Sequence, residues 1–329
     1  MRMPAEFAPH ERTVMCWPTR RSIYGSRFDE AKRAHATVAR TISGFEPVTM
    51  IANDSDIDDA VALCGPTVDV VALPIDDSWF RDTGPIYVVD GGVRTGTQWR
   101  FNGWGNKFVP HDADAKLARR WLELCDEPIR SIDMVLEGGS INVDGAGSLV
   151  TTEQCLLHPN RNPAMSRDEI VERLPTELGC TSIVWLPFGL ALDDDTDGHV
   201  DNVAAFVAPN TVVMQGCDDP REEDHERCAA NLAAARDAGL TVHEVPVLPF
   251  VEIDDQRVCI PYLNFYFVNG GVIVPTSGHP ADADMLALIG EWVGDRDVVG
   301  LDVGTILALG GGGIHCITQQ VPALPASAR

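Results

Sequence analysis

The sequence predicts an α/β fold built from repeats of a hairpin–helix–strand (ββαβ) unit, about five in number and closed into a ring. Three observations predict it. A two-strand hairpin pattern recurs along the chain. Each hairpin leads to a helical segment and then a short apolar strand. The recurrence comes about every 60 residues, so 329 residues hold about five units. The pattern leaves one alternative open, an ordinary α/β sandwich with coincidental spacing.

The hairpins are TGPIYVVDGGVRTGT (83–97), EGGSINVDGAGSLVTTE (137–153), GHVDNVAAFVAPNTVVMQ (198–215) and LNFYFVNGGVIVPTS (263–277). Their turns, DGG, DGAG, PN and NGG, are rich in Gly and Asn, which tolerate positive φ. Helices are expected at 28–42, at 112–125 behind an Asp cap, at 219–238 and at 280–292. Ser166 and Glu169 form an S-x-x-E capping box that opens another. Apolar strands are expected at 47–53, 68–74, 181–187, 241–246 and 297–304. The last unit opens at GGGGIHCITQQVP (310–322), and TVMCWPT (13–19) is placed to supply its missing strand and close the ring. One domain over 1–329 follows from that closure.

Composition narrows the partners. The formal net charge is -24, and Lys32, Lys107 and Lys116 are the only lysines. Nucleic acid is excluded as a natural partner, because phosphate binding needs clustered Lys and Arg. The acidity reads either as a solubilising surface or as a field that draws in a small cation. No apolar run approaches the roughly 18 residues of a membrane span, and the N-terminus lacks the apolar core of a secretory signal. The nine cysteines are odd in number and contain no CxxC pair. That argues against a disulfide framework or a zinc knuckle, and for a reducing cytoplasm. The sequence permits a homo-oligomer without setting its size.

A polar residue stands near the start of each hairpin: Asp82, Glu137, His199, Asn264 and Cys316. In a ring, all five could project to one central place, where apolar side chains would otherwise be expected. Singly, each has a plain reading. Asp82 could cap a turn, Glu137 could be an edge carboxylate, and Asp195 could belong to a solvated acidic loop. His199 and Asp201 share one strand face at period two, as a metal pair, an acid–base pair or a satisfied core histidine. Cys316 follows a glycine run that lets backbone approach a ligand, yet lacks the GxxxxGK[ST] pattern of a phosphate loop. Cys, His and carboxylates together suit a cationic, planar, carbon-centred substrate such as a guanidinium. His199 could then deliver a proton to departing ammonia.

The blocks MPAEFAPHERTVMCWP, DDSWFRDTGPIYVVD, FNGWGNKF, EGGSINVDG, DTDGHVDN, LNFYFVNGGVIVP and GGGGIHCITQQVP run in order from residue 3 to 322. Together they resemble the agmatine deiminases of the bacterial-type peptidylarginine deiminase family of guanidino-modifying enzymes. The resemblance implies a five-bladed, pseudo-symmetric α/β propeller (pentein). It implies hydrolysis of agmatine to N-carbamoylputrescine and ammonia without metal or cofactor, the small cationic guanidine being the partner. Carried over by motif, Cys316 is the nucleophile and His199 the general acid, then base. Asp82 and Asp201 hold the guanidinium nitrogens, and Glu137 orients His199 or touches the guanidinium. Trp79 and Trp104 line the pocket, with Asp195 and Asn264 on the substrate side. Another guanidine as substrate (free arginine, peptidyl arginine or another alkylguanidine), or amidino transfer to an amine, stays open. One departure stands out: Gly313 lies where the family usually has Asn.

Overall fold

The computed structural model describes residues 1–324. Five sheets share one strand plan: an antiparallel hairpin, then a third strand parallel to the hairpin's second. One unites Ile86–Asp90, Val93–Arg100 and Ile129–Val135. The next unites Ile141–Val143, Ser148–Thr152 and Ser182–Leu186. The third unites Ala204–Ala208, Thr211–Gln215 and Thr241–Val245. The fourth unites Tyr266–Val268, Gly271–Thr276 and Asp297–Asp302. In the fifth, Thr318–Pro322 pairs antiparallel with His10–Cys16, which continues in parallel to Val48–Ala52 and Val68–Ala72. The end of the chain thus completes a sheet begun near its start, as the 13–19 segment predicts.

Turn chemistry accounts for the hairpins. In 90–93 the two central residues, Gly91 and Gly92, have φ of 56° and 83°, which glycine adopts without cost. Amphipathic helices cover the sheets. Phe28–Ile42 forms over the predicted span and buries Ala31, Ala34, Val38, Ala39 and Ile42, the i, i+3, i+4 stripe, in one cluster with Val48 and Met50. Each large aliphatic side chain so buried contributes roughly 1.5–3 kcal/mol. The Ser166 box is formed in both directions ahead of Arg167–Leu178.

Several expectations change in detail. Asp112 lies in a turn; the helix begins as a 3₁₀ turn at Asp114 and continues over Leu117–Leu124. The 219–238 helix starts later, at Asp224. Residues Val200–Asn202 form a 3₁₀ turn rather than strand, so His199 and Asp201 do not alternate on a sheet. An unforeseen two-stranded hairpin, Phe250–Ile253 with Gln256–Cys259, stands outside the five sheets. Its turn is Asp254–Asp255 at φ of 48° and 62°, a primed turn built without glycine. All nine cysteines are free thiols. Among the described residues no helix is long and apolar enough to cross a membrane.

Candidate active site

Asp82, Glu137, His199, Asn264 and Cys316 each sit just ahead of the first strand of their sheet. Tight turns hold four of them. Asp82 lies within Phe80–Thr83, Glu137 precedes Gly138–Ser140, His199 precedes Val200–Asn202, and Cys316 lies in the 314–317 turn. All five, with Asp201, are buried. Gly139 marks where three of the side chains meet. A Cβ there would fall 2.5 Å from His199 Nδ1, 2.9 Å from Asp201 Oδ2 and 3.0 Å from Asp82 Oδ1. Any side chain at 139 would occupy the centre of the cluster.

Around the thiol, Asn264 Nδ2 donates to Cys316 Sγ over 3.2 Å, and the Cys316 S–H reaches Asp201 Oδ2 at 3.5 Å. Asn264 Oδ1 also accepts the backbone N–H of His315 at 3.0 Å. Asn264 is thus packed against the thiol and its turn, and is not among the side chains that line the cleft. Asp82 accepts the Trp104 indole N–H at 2.9 Å and the Gly139 N–H at 2.8 Å. Trp104 itself has φ of 53°, between Gly103 at 64° and Gly105 at 82°. This left-handed stretch, whose Gly105 N–H is capped by Asn102 Oδ1, aims the indole inward.

The His199 backbone N–H is held by Asp193 and Thr196, whereas its ring is held by charge rather than by direct hydrogen bonds. Its Nδ1 is 3.8 Å from Asp82 Oδ2 and its Nε2 is 3.9 Å from Glu137 Oε2. Both ring nitrogens, and Asp201 Oδ1, are buried without a hydrogen-bond partner among the described residues. Burial alone would lower the His199 pKa; Asp82, Cys155 and Glu137 raise it well above the usual value. Burial pushes the Asp82 carboxyl up, with Asp201 and Glu137 adding to this against His199. Burial would also raise Glu137 and Asp201. Arg161 and His199 hold Glu137 below the ordinary carboxylate value, and His315 and His199 do the same for Asp201. Burial, then Asp201 and Asp82, push the Cys316 thiol well up. An acidic, desolvated site with an imidazolium and a neutral thiol is a poor resting place for anions and a good one for a cation.

The thiol opens onto a cleft of about 310 Å³, lined by Trp79, Asp82, Trp104, Phe108, Asp195 and Cys316 with adjoining backbone. Asp195 and Gly311 also line a larger neighbouring cavity of about 660 Å³. Asp195 therefore stands where the two spaces join. Lys107 bonds the Asp194 carbonyl and Asp197 in the same loop.

Sequence reasoning did not single out the supporting charges. Arg161, itself buried, donates Nε to Glu137 Oε1 at 2.7 Å and bonds Asp197 at 2.7 Å. On the other side, His315 Nδ1 is 2.8 Å from Asp201 Oδ2 and its Nε2 is 2.8 Å from Glu6 Oε2. Arg81 donates to the same Glu6 oxygen at 2.9 Å. His315 therefore faces the site from behind Asp201. Glu6 in the apolar run MPAEFAP was the available signal.

Burial raises Glu6, but His315 and Arg81 outweigh it and bring the carboxyl from 4.5 to about 2. A depressed folded pKa supplies stability above the unfolded value, lost as pH falls. The Glu6 carboxylate thus contributes about 3 kcal/mol at neutral pH. Glu6→Gln is expected to lower unfolding stability by that order at pH 7. The deficit should shrink between pH 4.5 and 2, read by urea unfolding at several pH values.

Gly313 is explained by its neighbour. A Cβ there would lie 2.4 Å from Asn264 Oδ1. In this chain position 313 faces Asn264 and not the cleft. Gly313→Asn should therefore displace Asn264 from the thiol, costing roughly 1–3 kcal/mol of stability through overpacking. It should lower kcat more than it raises KM. Unchanged kcat would show that the turn absorbs the side chain.

The family model described as Porphyromonas-type peptidyl-arginine deiminase matches residues 2–322. The agmatine deiminase of Stutzerimonas stutzeri is 42% identical, covering 98% of this chain and 95% of its own length. Among solved structures, the agmatine deiminase of Enterococcus faecalis superposes with a TM-score of 0.91 at 33% identity, covering 98% of this chain and 95% of that one. A cysteine-to-serine form of the C. jejuni agmatine deiminase, with substrate bound, gives a TM-score of 0.92 at 26% identity over 98% of this chain and 96% of that one. The match over residues 2–322 spans nearly the whole chain and every segment that forms the site, so the chain belongs to the Porphyromonas-type peptidyl-arginine deiminase family.

Proposed function

We propose that this chain hydrolyses the guanidinium group of agmatine to N-carbamoylputrescine and ammonia through a covalent amidino-cysteine intermediate. The observation that carries the reading is the set of unpartnered buried groups beside the thiol. His199 Nδ1, His199 Nε2 and Asp201 Oδ1 lack partners among the described residues, and a guanidinium with its five donors supplies what the carboxylate needs. The agmatine deiminases of S. stutzeri, E. faecalis and C. jejuni support the choice of substrate.

Asp82 and Asp201 pair with the guanidinium nitrogens, and Glu137, fixed by Arg161, holds the His199 imidazolium in place. Entry of the cation beside Cys316 offsets the two carboxylates that keep the thiol neutral, so one proton leaves to solvent. The thiolate attacks the guanidinium carbon and forms the S–C bond. His199 gives its proton to the departing nitrogen, and ammonia leaves. Neutral His199 then takes a proton from water. The resulting hydroxide adds to the carbon, the S–C bond breaks to release the thiolate, and the added hydroxyl gives its proton to solvent as the ureido product forms. Trp79, Trp104 and Phe108 face the butyl chain, and Asp195 receives the distal ammonium where the cleft widens. The five repeated sheets act as the blades of one pseudo-symmetric propeller domain. That arrangement is supported by one polar contribution from the start of each and by the pairing of the last strand with the first. Nine free thiols fit a reducing cytoplasm.

A panel of guanidines assayed for ammonia and ureido product tests the substrate. Agmatine should lead, with free arginine far behind because its carboxylate would meet Asp195, and peptidyl arginine far behind because it brings no distal ammonium there. Asp195→Asn should raise KM for agmatine roughly tenfold, the scale of one partly exposed ion pair. It should leave a short alkylguanidine without a distal charge nearly unaffected. Equal loss on both substrates would remove Asp195 from the ammonium end. Transfer of the amidino group to an added amine in preference to water would replace hydrolysis with amidinotransfer.

A further inference from the structure

Cys155 takes no bond-making or proton-transfer step in the mechanism, yet it is buried beside His199. It sits in the Glu153–Leu156 helical turn that follows the strand Ser148–Thr152. Glu137, Cys155 and His199 each offer one ligand atom, and the three atoms lie within 4.8 Å of one another. Two further facts make this more than a cluster. Among the described residues, both imidazole nitrogens are buried without a hydrogen-bond partner. Arg161 occupies Glu137 Oε1, which leaves Oε2, 3.9 Å from His199 Nε2, free to bind. In a tetrahedral zinc site with bonds of about 2.0–2.3 Å, adjacent ligand atoms stand roughly 3.3–3.8 Å apart. The nitrogen–oxygen spacing needs only a small contraction to reach that.

We infer that Glu137, Cys155 and His199 form an inhibitory site for a thiophilic divalent cation of the zinc type, distinct from the thiol of Cys316. On binding, the Cys155 S–H bond breaks and its proton leaves to solvent. The metal takes the thiolate sulfur, an imidazole nitrogen and a carboxylate oxygen, with no change in oxidation state. Glu137, the thiolate and nearby Asp82 meet the charge of the ion. The His/Cys/carboxylate set favours zinc or cobalt over magnesium or calcium. A metal on the imidazole removes the imidazolium that protonates ammonia and adds positive charge where the guanidinium must sit. The inhibition, though not the binding, rests on the role proposed for His199.

Co²⁺ is the probe, used alone on the full chain with Cys316→Ala, which removes the competing thiol. A thiolate-to-cobalt charge-transfer band in the near ultraviolet is expected, lost when Cys155→Ser is added. No band, or a band that survives Cys155→Ser, overturns the site. For the otherwise unaltered enzyme, Zn²⁺ should suppress ammonia release and Mg²⁺ should not. Cys155→Ser, which keeps the volume and reports its own folding through metal-free turnover, should weaken zinc inhibition by at least about 100-fold. Inhibition unchanged in Cys155→Ser assigns zinc to Cys316 and overturns the inference. A band that depends on Cys155 without loss of turnover supports the site and overturns the role of His199.

Discussion

Replacing Cys316 with Ala is expected to cut ammonia release from agmatine by roughly 10⁴-fold or more, with the fold retained. The size follows from the chemistry. No other thiol lines the cleft, and a guanidinium carbon, stabilised by delocalisation, yields slowly to water alone. Folding should survive because Asn264 keeps its bond to Asn202 Oδ1 at 2.8 Å after the sulfur is gone. Cys316→Ser should be nearly as inactive, since a hydroxyl ionises far less readily than a thiol in the same acidic surroundings. In the resting enzyme the thiol is neutral, held up by burial and by Asp201 and Asp82. Alkylation by iodoacetamide at pH 7 should therefore be slow, rising as the pH is raised. Fast alkylation at neutral pH without substrate would mean that the thiolate is preformed. Ammonia release persisting in Cys316→Ala would remove the covalent route altogether.

Much of this site was legible because the repeat fixes position as well as fold. Asp82, Glu137, His199, Asn264 and Cys316 could be aligned by their place ahead of each hairpin, and each indeed precedes the first strand of its sheet. Their individual roles were less legible. Asp201 and His199 were paired by strand alternation, whereas a 3₁₀ turn presents both to the same centre. Strand alternation would send His315, the neighbour of Cys316, to the opposite face, yet it bonds the carboxylate oxygen that the thiol also reaches. Alternation fails at these places because the site residues lie in turns, where a side chain's direction depends on the local dihedral angles. Arg161, Glu6 and Arg81 escaped for another reason. Each meets its partner only across the fold, Arg161 at Glu137 and Arg81 at Glu6, and tertiary packing alone brings them together. Cys155 reads from sequence as one small buried residue among nine cysteines. Its nearness to His199 is a property of the fold.

His199→Gln should lower kcat/KM for agmatine by roughly 10³–10⁴-fold and change the shape of its pH dependence. The active form needs two groups in opposite states, a thiolate at Cys316 and an imidazolium at His199. Burial pulls the imidazole down, but Asp82, Cys155 and Glu137 hold its pKa well above the usual value. A raised histidine is protonated at neutral pH and loses its proton only as the pH climbs. Activity should therefore rise through neutrality and fall on the alkaline side, where ammonia leaves without a proton donor. In His199→Gln that donor is absent at every pH. The alkaline fall should vanish, and the residual rate should rise monotonically as the thiol ionises. Glu137→Gln makes a graded counterpart. Removing the carboxylate 3.9 Å from Nε2 lets burial act with less opposition. The imidazole then loses its proton earlier, and the alkaline limb moves to lower pH. An alkaline limb that persists in His199→Gln would assign it to another group. One that shifts upward in Glu137→Gln would reverse the sign of the proposed coupling.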